Sequence, residues 1–157
     1  MVNYEIYFNG NGNGVPSLSL RKDGSSCEIF DNGNCNGYAR WSYRQTYNGT
    51  ECYNNGNCNG IPRAFFKRSG SRAYFYDSGN GNGIAIYSFE QRGNMLCIYD
   101  NGNCNSYSKW SARVENGGVA FYDNGNCNGY SKGFIRGASN VWDVYEALFF
   151  VFVFGLS

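Results

Sequence analysis

The chain has 157 residues, of which 22 are glycine and 18% are aromatic, and this length predicts a single domain. A net charge of +1 gives no electrostatic support for nucleic-acid binding. Histidine is absent, which removes the commonest general base and metal ligand. We therefore predict a protein that is not an enzyme, and the sequence shows no catalytic residues.

A repeat of 23 residues without insertions dominates residues 1–138. Its core reads Asn-Gly-Asn-x-Asn, usually followed by Gly, and it begins at Asn9, Asn32, Asn55, Ser78, Asn101 and Asn124. Repeats of this kind bury their apolar faces against neighbouring units. We therefore predict a six-unit array over residues 1–138, followed by an apolar segment over residues 139–157 that lies outside the register.

Each unit has a short apolar run before the Asn-Gly pair and a longer alternating run after it. Asn-Gly between two such runs is typical of a type I′ hairpin turn, in which both residues have positive φ. We therefore place the turn at Asn32-Gly33 and its equivalents, with a bulge at Gly37. The prediction is an all-β fold of six tandem hairpins that form an elongated antiparallel meander.

A β-solenoid is the alternative architecture. It would stack equivalent residues one strand spacing apart, so that Arg113 would lie on Arg136. Like charges directly opposite one another are destabilising, and the meander separates them by two strands. The charge pattern therefore favours the meander.

The unit resembles the MORN (membrane occupation and recognition nexus) repeat, which also combines a 23-residue hairpin with an aromatic residue, Asn-Gly and a later Gly. The matching residues are Phe30, Asn32, Gly33 and Gly37, Tyr99, Asn101 and Gly102, and Tyr122, Asn124, Gly125 and Gly129, with Trp41 and Trp110 in the second strand. Asn and Cys follow Asn-Gly here, where the family usually has basic residues. The resemblance implies an elongated single-layer sheet that serves as a scaffold or as a membrane-proximal binding surface.

Polar and aromatic residues that recur in each unit are the candidate ligand-binding positions, because amides, carboxylates and aromatic rings suit sugar hydroxyls and sugar faces. Repetition would add avidity. The loop also resembles the start of a calcium-binding pattern, but the twelfth residue from Asn32 is Tyr43 rather than Glu. Calcium fits poorly, so we predict no metal site and no cofactor. The candidate residues are Asp31, Asp77, Asp100, Asp123, Tyr53, Tyr76, Tyr99, Tyr122, Trp41 and Trp110.

Seven cysteines form an odd set, so they cannot all pair within the chain. Cys35 and its equivalents Cys58, Cys104 and Cys127 share one column, where the other two units have Gly12 and Gly81. We interpret this thiol as a small packing group against the aromatic column.

The C-terminal segment shows helical spacing from Trp142 and then a strongly apolar run, LFFVFVF. It is too short for an ordinary membrane span. We predict a cap on the array or a segment for self-association, with Phe149, Phe150, Phe152 and Phe154 as the assembly residues. The start, MVNYEIYF, does not read as a signal peptide, so the expected location is cytoplasmic or surface-exposed.

Together these features predict a non-enzymatic scaffold or interaction module with an aromatic- and Asn-rich surface. Its partners would be another protein or further copies of the chain. The alternative is an extracellular filament-type structural subunit or a multivalent glycan-binding protein. A membrane surface is a further possible partner, whereas nucleic acid is not expected.

Overall fold

A computed structural model describes residues 1–154. It confirms the prediction of an all-β fold built from antiparallel, hairpin-linked strands. The strands are β1 Val2–Tyr7, β2 Leu18–Asp23, β3 Ser26–Phe30, β4 Trp41–Thr46, β5 Gly49–Tyr53, β6 Ala64–Ser69, β7 Arg72–Tyr76, β8 Tyr87–Arg92, β9 Met95–Tyr99, β10 Trp110–Glu115, β11 Gly118–Tyr122 and β12 Gly133–Arg136.

The twelve strands form a closed barrel, so the prediction of an elongated open meander is wrong. The first and last strands pair with each other, with Ile6 opposite Ile135 and Tyr7 opposite Phe134. Closure leaves no strand edge unpaired, which removes the sites where an open sheet would recruit another chain. The antiparallel pairing of successive strands also excludes the solenoid.

Alternation along each strand separates a bore face from an outer face. Ile29 and Phe66, for example, belong to the single large apolar cluster that fills the bore. Their neighbours Glu28 and Lys67 lie on the outer wall and are half-buried. The alternating columns of the repeat therefore become the two faces of the barrel wall.

The tight hairpin turns lie where the sequence signal is weaker, as at Gly24, which has a φ of 63°. The Asn32-Gly33 pair instead starts a ten-residue connection over residues 31–40, and neither residue has positive φ. The predicted type I′ turn at this pair is therefore wrong. Positive φ occurs later in the connection, at Cys35 and Gly37, so Gly37 belongs to a loop and not to a strand bulge.

The C-terminal segment occupies the bore. It consists of a 3₁₀ turn at Val141–Asp143, helix α1 at Tyr145–Phe149 and a π-helical turn at Phe150–Phe154. Asn140 caps its start, because the Asn140 side chain accepts a hydrogen bond of 2.9 Å from the Trp142 backbone N–H. The segment enters beside the tight turns, where the Lys22 Nζ donates to the Asp143 carbonyl over 3.2 Å. We call residues 141–154 the plug.

Aromatic contacts hold the plug against the wall. Phe149 is fully buried, and its ring centroid lies 4.7 Å from that of Phe75 and 5.0 Å from that of Tyr87. Phe152 stacks on Phe121 at 5.1 Å, and the space for it exists because Gly133 has no Cβ, which would overlap the Phe152 ring. The plug supplies the core that a barrel of twelve strands needs to fill its interior.

Candidate functional site

Six long connections surround one end of the barrel, and we call them the loop girdle. Five of them are held together by the side chain of their first Asn, and Ser78 takes this place in the fourth. In the second loop the Asn32 Oδ1 accepts hydrogen bonds from the backbone N–H groups of Asn34 (3.2 Å) and Asn36 (3.0 Å). The Asn32 Nδ2 donates to the Asn36 carbonyl over 2.8 Å. The loops cover residues 8–17, 31–40, 54–63, 77–86, 100–109 and 123–132.

Each loop overlaps the one before it. A Cβ on Gly33 would collide with the Pro16 carbonyl, and a Cβ on Gly56 would collide with the carbonyl of Ala39. The last contact closes the ring, because Gly10 meets Ser131 in the same way. The Gly of each Asn-Gly pair is therefore needed for close approach of two loops, and not for a tight turn.

At four positions of the cysteine column, the backbone N–H of the Cys is bound by a serine on the first strand of the hairpin that precedes the loop. The Ser19 Oγ donates to the Asn32 carbonyl over 2.6 Å and accepts from the Cys35 N–H over 2.8 Å. The same pairing of Ser with Cys occurs at Ser42 with Cys58, Ser88 with Cys104 and Ser111 with Cys127.

Two units use Phe and Gly in place of Ser and Cys. A Cβ on Gly81 would meet the Phe65 ring at 2.7 Å, and a Cβ on Gly12 would meet the Phe134 ring at 2.8 Å. The second pair joins the last unit to the first across the barrel closure. A small Ser on the strand therefore occurs with Cys in the loop, and a large Phe occurs with Gly. Only Cys127 belongs to an apolar cluster with a ring of the aromatic column, Tyr122, so the interpretation of the whole column as packing against that ring stays a prediction.

The most exposed apolar side chains of the girdle form one column of the repeat, which we call the loop-tip ring. Each follows the Gly that closes the loop motif, or Ser106 in its place, and sequence reasoning missed all of them. The signal was a large apolar residue in every unit at a position flanked by loop residues. The members and their exposed fractions are Val15 (87%), Tyr38 (100%), Ile61 (91%), Ile84 (89%), Tyr107 (92%) and Tyr130 (94%).

Grooves lie between successive loops. One has Tyr38 on its first side, Asn55 and Asn57 on its second side, and Arg21 and Glu28 at its floor. A second groove lies one repeat further along, with Ile61 in place of Tyr38 and Ser78 and Asn80 in place of the two asparagines. The repeat therefore produces the same type of groove more than once on the outer wall.

Charges on the outer wall are largely paired within the molecule. In the Tyr38 groove the Arg21 Nε lies 3.1 Å from the Glu28 Oε1, and the guanidinium also lies over the Phe30 ring at 4.9 Å. The next unit repeats the pair, with the Arg44 Nη2 lying 3.0 Å from the Glu51 Oε1. Because guanidinium and carboxylate neutralise each other, these grooves do not select a strongly charged ligand.

The structure separates the predicted ligand residues into different environments. Asp31, Asp77, Asp100 and Asp123 are all exposed in the girdle. The Asp31 carboxylate lies 3.4 Å from the Arg40 guanidinium, which lies over the Trp41 ring at 4.9 Å. Asp100, Lys109 and Trp110 repeat this arrangement, with 3.6 Å and 4.9 Å. Two carboxylate–cation–indole clusters result.

The four predicted tyrosines lie on the outer wall. Tyr53, Tyr99 and Tyr122 are buried, and Tyr76 is half-buried. The Tyr122 hydroxyl donates to the Glu115 carboxylate over 2.8 Å, and the Arg113 guanidinium lies 5.4 Å from the ring centroid. These hydroxyls and rings are engaged within the chain, and the most exposed aromatic faces of the girdle belong to Tyr38, Tyr107 and Tyr130 instead.

A buried carboxyl group distinguishes the plug. The Glu146 Oε2 accepts hydrogen bonds from the Thr50 hydroxyl (2.9 Å) and the Gln45 Nε2 (3.3 Å), while its Oε1 has no partner. Burial raises the pKa of Glu146, and these hydrogen bonds oppose the shift only in part. A polar cleft lined by Arg68 and Trp142 leads to this group at the tight-turn end.

The predicted assembly residues all belong to the plug. Phe149 is buried, and Phe150, Phe152 and Phe154 are half-buried against the same cluster. Self-association through them stays a prediction. Residues 155–157 of the predicted terminal segment lie outside the described residues.

The thiols lie in three places. Cys35, Cys58 and Cys104 are half-buried in the girdle, where Cys127 is buried; Cys27 and Cys52 line the bore, and Cys97 is buried in β9 outside the bore cluster. Burial raises the pKa of Cys27 to about 12, so its reactive thiolate form is negligible at neutral pH. All seven cysteines are free thiols.

Within residues 1–154, no group of three or more His, Cys, Asp or Glu side chains is arranged to hold a metal ion. No helix in this part of the chain is long and apolar enough to cross a membrane. Comparison of the chain with protein-family models, with curated proteins and with solved structures found no match. The resemblance to MORN repeats therefore rests on the quoted motif alone.

Proposed function

We propose that the protein is a non-enzymatic, multivalent interaction module that binds its target through the loop girdle. The single observation that carries this proposal is the loop-tip ring, which exposes a large apolar side chain in every unit, from 87% at Val15 to 100% at Tyr38. Single exposed apolar residues are ordinary, but one at the same position of six successive units is a repeated surface feature. This regular repetition distinguishes the ring from scattered exposed apolar residues, which need no explanation.

The barrel suits this role because it holds the loops rigidly. Each loop is tied to the strand beneath it, as by the two hydrogen bonds of Ser19, and to the neighbouring loop at Gly33. A target therefore meets preformed contact sites and pays little ordering entropy. Several weak contacts on one rigid frame add through effective concentration.

Position-specific photo-crosslinking tests the proposal. A benzophenone amino acid replaces Tyr38 in one variant and Tyr47 in the other, and both proteins are irradiated in an extract of the source organism. Tyr38 and Tyr47 are both fully exposed, but Tyr47 lies in the tight turn after β4, away from the girdle. We expect discrete adducts from position 38 and from the equivalent variant at Tyr107, and few from position 47.

Equal adduct yields at positions 38 and 47, or no discrete adduct at position 38, would contradict the proposal. Competition by excess unlabelled wild-type protein separates specific capture from random collision. The chemical nature of the adduct, polypeptide or polysaccharide, is determined by mass spectrometry after protease or glycosidase treatment.

A further inference from the structure

The girdle grooves also indicate the chemistry of the target. We infer that they bind an uncharged, polyhydroxylated polymer, that is, a neutral glycan chain; this inference rests on the proposed function. Its basis is the combination of an exposed aromatic face, a free amide and a neutralised floor in the groove beside Tyr38.

The first element is the exposed ring. A pyranose presents an apolar C–H face that packs on an aromatic ring, while its edge presents hydroxyl groups. Tyr38 is completely exposed and lies at the side of the groove, and Tyr107 and Tyr130 occupy the equivalent positions of the fifth and sixth units. An amphipathic ring of this kind suits a partner that has both an apolar face and polar edges.

The second element is the set of amides on the other side. Asn55 is consumed within its own loop, where its Oδ1 accepts from the backbone N–H groups of Asn57 and Asn59. The Asn57 side chain is exposed at the side of the groove, and the Asn59 side chain is exposed in the same loop outside the groove lining. Each amide offers one acceptor and two donor hydrogens, which matches hydroxyl groups that donate and accept at the same time.

The third element is the floor. Arg21 and Glu28 form an ion pair of 3.1 Å, so the groove has polar edges without a net charge to attract an ionic polymer. Arg44 and Glu51 form the same type of ion pair one unit further along, and the whole chain carries only +1. A protein partner would be expected to meet a drier, larger apolar patch than single side chains separated by Asn-rich loops.

The fourth element is repetition. The grooves beside Tyr38 and Ile61 follow one another at a spacing of two strands, about 10 Å along the wall. The loop-tip residues Val15, Ile61 and Ile84 are aliphatic, so their units would contribute less stacking than the units with tyrosine. A polymer with a regular repeat can occupy several subsites at once, which gives avidity from weak individual contacts.

Binding to defined polysaccharides tests the inference. Wild-type protein is incubated with insoluble cellulose, chitin, β-1,3-glucan, xylan, mannan and starch, and the bound fraction is measured by co-sedimentation. We expect binding to at least one of these. The triple variant Tyr38→Ser/Tyr107→Ser/Tyr130→Ser should bind that polymer at least tenfold more weakly, and single variants should lose less. Tyr47→Ser is the matched control and should bind as the wild type does.

A gain-of-function variant removes any doubt about folding. Ile61→Tyr adds an aromatic face to the second groove and should tighten binding to the same polymer several-fold. Heparin and alginate serve as charged comparisons and should bind more weakly than the neutral polymer at physiological salt, because the grooves have no uncompensated charge.

Two results would overturn the inference: no wild-type binding to any neutral polysaccharide, or binding that the triple variant retains. If position 38 still gives discrete polypeptide adducts in that case, the glycan inference fails and the interaction module stands. If neither glycan binding nor position-38 adducts are found, both proposals fail.

Discussion

The bore and the outer wall of the barrel both contain many aromatic side chains, but the two regions pack them differently. In the bore, rings such as Phe75 and Phe149 contact each other directly, with centroids 4.7 Å apart. On the wall, rings such as Tyr53 and Tyr122 lie beneath cations, with guanidinium carbons 5.7 and 5.4 Å from the ring centroids. The bore therefore depends on apolar burial, and the wall on contacts that remain close to water.

This difference separates the part of the fold that carries its stability from the proposed binding surface. The plug and the wall share one continuous cluster, so losses there affect the whole barrel. The loop-tip ring makes no comparable contribution, because its side chains remain in solvent. The protein can therefore vary the ring without losing the fold, which is the arrangement expected of a binding surface on a rigid scaffold.

The largest expected effect is the loss of a plug aromatic. Phe149→Ala removes a fully buried ring that contacts Phe75, Tyr87 and Phe89. We expect the free energy of unfolding, measured by urea denaturation, to fall by about 3–5 kcal/mol. Tyr38→Ala removes a ring that is fully exposed and should change stability by less than about 0.5 kcal/mol. Equal losses of unfolding free energy in the two variants would contradict the conclusion that stability resides in the bore and not in the loop-tip ring.

The sequence predicted the strands of the wall, but it did not reveal that they close around a bore. Strands and hairpins follow from local alternation, so residues such as Ile29 and Phe66 could be assigned to one buried face. Closure was missed because it depends on the twist accumulated over all strands, which no single unit reveals. A signal did exist: Gly12 in the first unit is matched to Phe134 in the last, as Gly81 is to Phe65.

The plug and the loop-tip ring were harder to predict for a different reason. An apolar terminal run such as the one containing Phe149 and Phe152 has the same pattern whether it caps an open array, joins another chain or fills a bore. Tyr38 was missed because it was assigned to the second strand of the predicted hairpin, after the bulge at Gly37, whereas this strand begins only at Trp41. Only the overlap of neighbouring loops at Gly33 shows that the girdle is a surface of its own.

A second prediction concerns the pH dependence of stability, which we assign to a carboxyl group of the plug that is buried in the bore. Burial raises the pKa of Glu146 above its value in the unfolded chain. Between the two pKa values the unfolded state has lost its proton while the folded state keeps it. The stabilisation is therefore complete below the unfolded pKa and is lost as pH rises toward and through the folded pKa, with a slope of at most about 1.4 kcal/mol per pH unit.

The variant Glu146→Gln should remove this slope, since it keeps an oxygen acceptor for Thr50 and Gln45 without an ionisable group. We expect it to be more stable than the wild type at pH 8 and similar at pH 4, by urea denaturation at a series of pH values.

The charged and titratable groups around Glu146 are Lys22, Cys27, Tyr43, Cys52 and Tyr145. The chain contains no histidine, so few other groups titrate between pH 5 and 8. A wild-type slope that survives in the variant would assign the effect to other groups. The control is Asp23→Asn, which removes a carboxylate that is exposed at the tight turn after β2, and the slope should survive in it.

The smallest expected effect tests how the wall couples to the girdle. Ser42 and Cys58 form one of the four Ser–Cys pairs, and the Cys58 backbone has a φ of 53°, which suits Gly better. Ser42→Phe alone should destabilise the protein by about 1–3 kcal/mol, because the ring would meet the Cys58 side chain. Cys58→Gly alone should be close to neutral. The double variant recreates the Phe65–Gly81 arrangement.

We therefore expect the double variant to be less destabilised than the sum of the single variants, by about 0.5–3 kcal/mol in a double-mutant cycle measured by urea denaturation. The same cycle at Ser88 and Cys104 is the matched comparison. Where Phe65 occurs naturally its ring also lies beside Gly49, which has no side chain. At Ser42 the residue equivalent to Gly49 is the small Ser26, whereas at Ser88 it is the large Arg72. An introduced Phe ring therefore has less room at Ser88, and the coupling energy should be smaller there. If the losses of stability in the single variants are additive at both sites, the size of the strand residue does not determine the loop residue. The pairing of Phe134 with Gly12 across the barrel closure would then be coincidental.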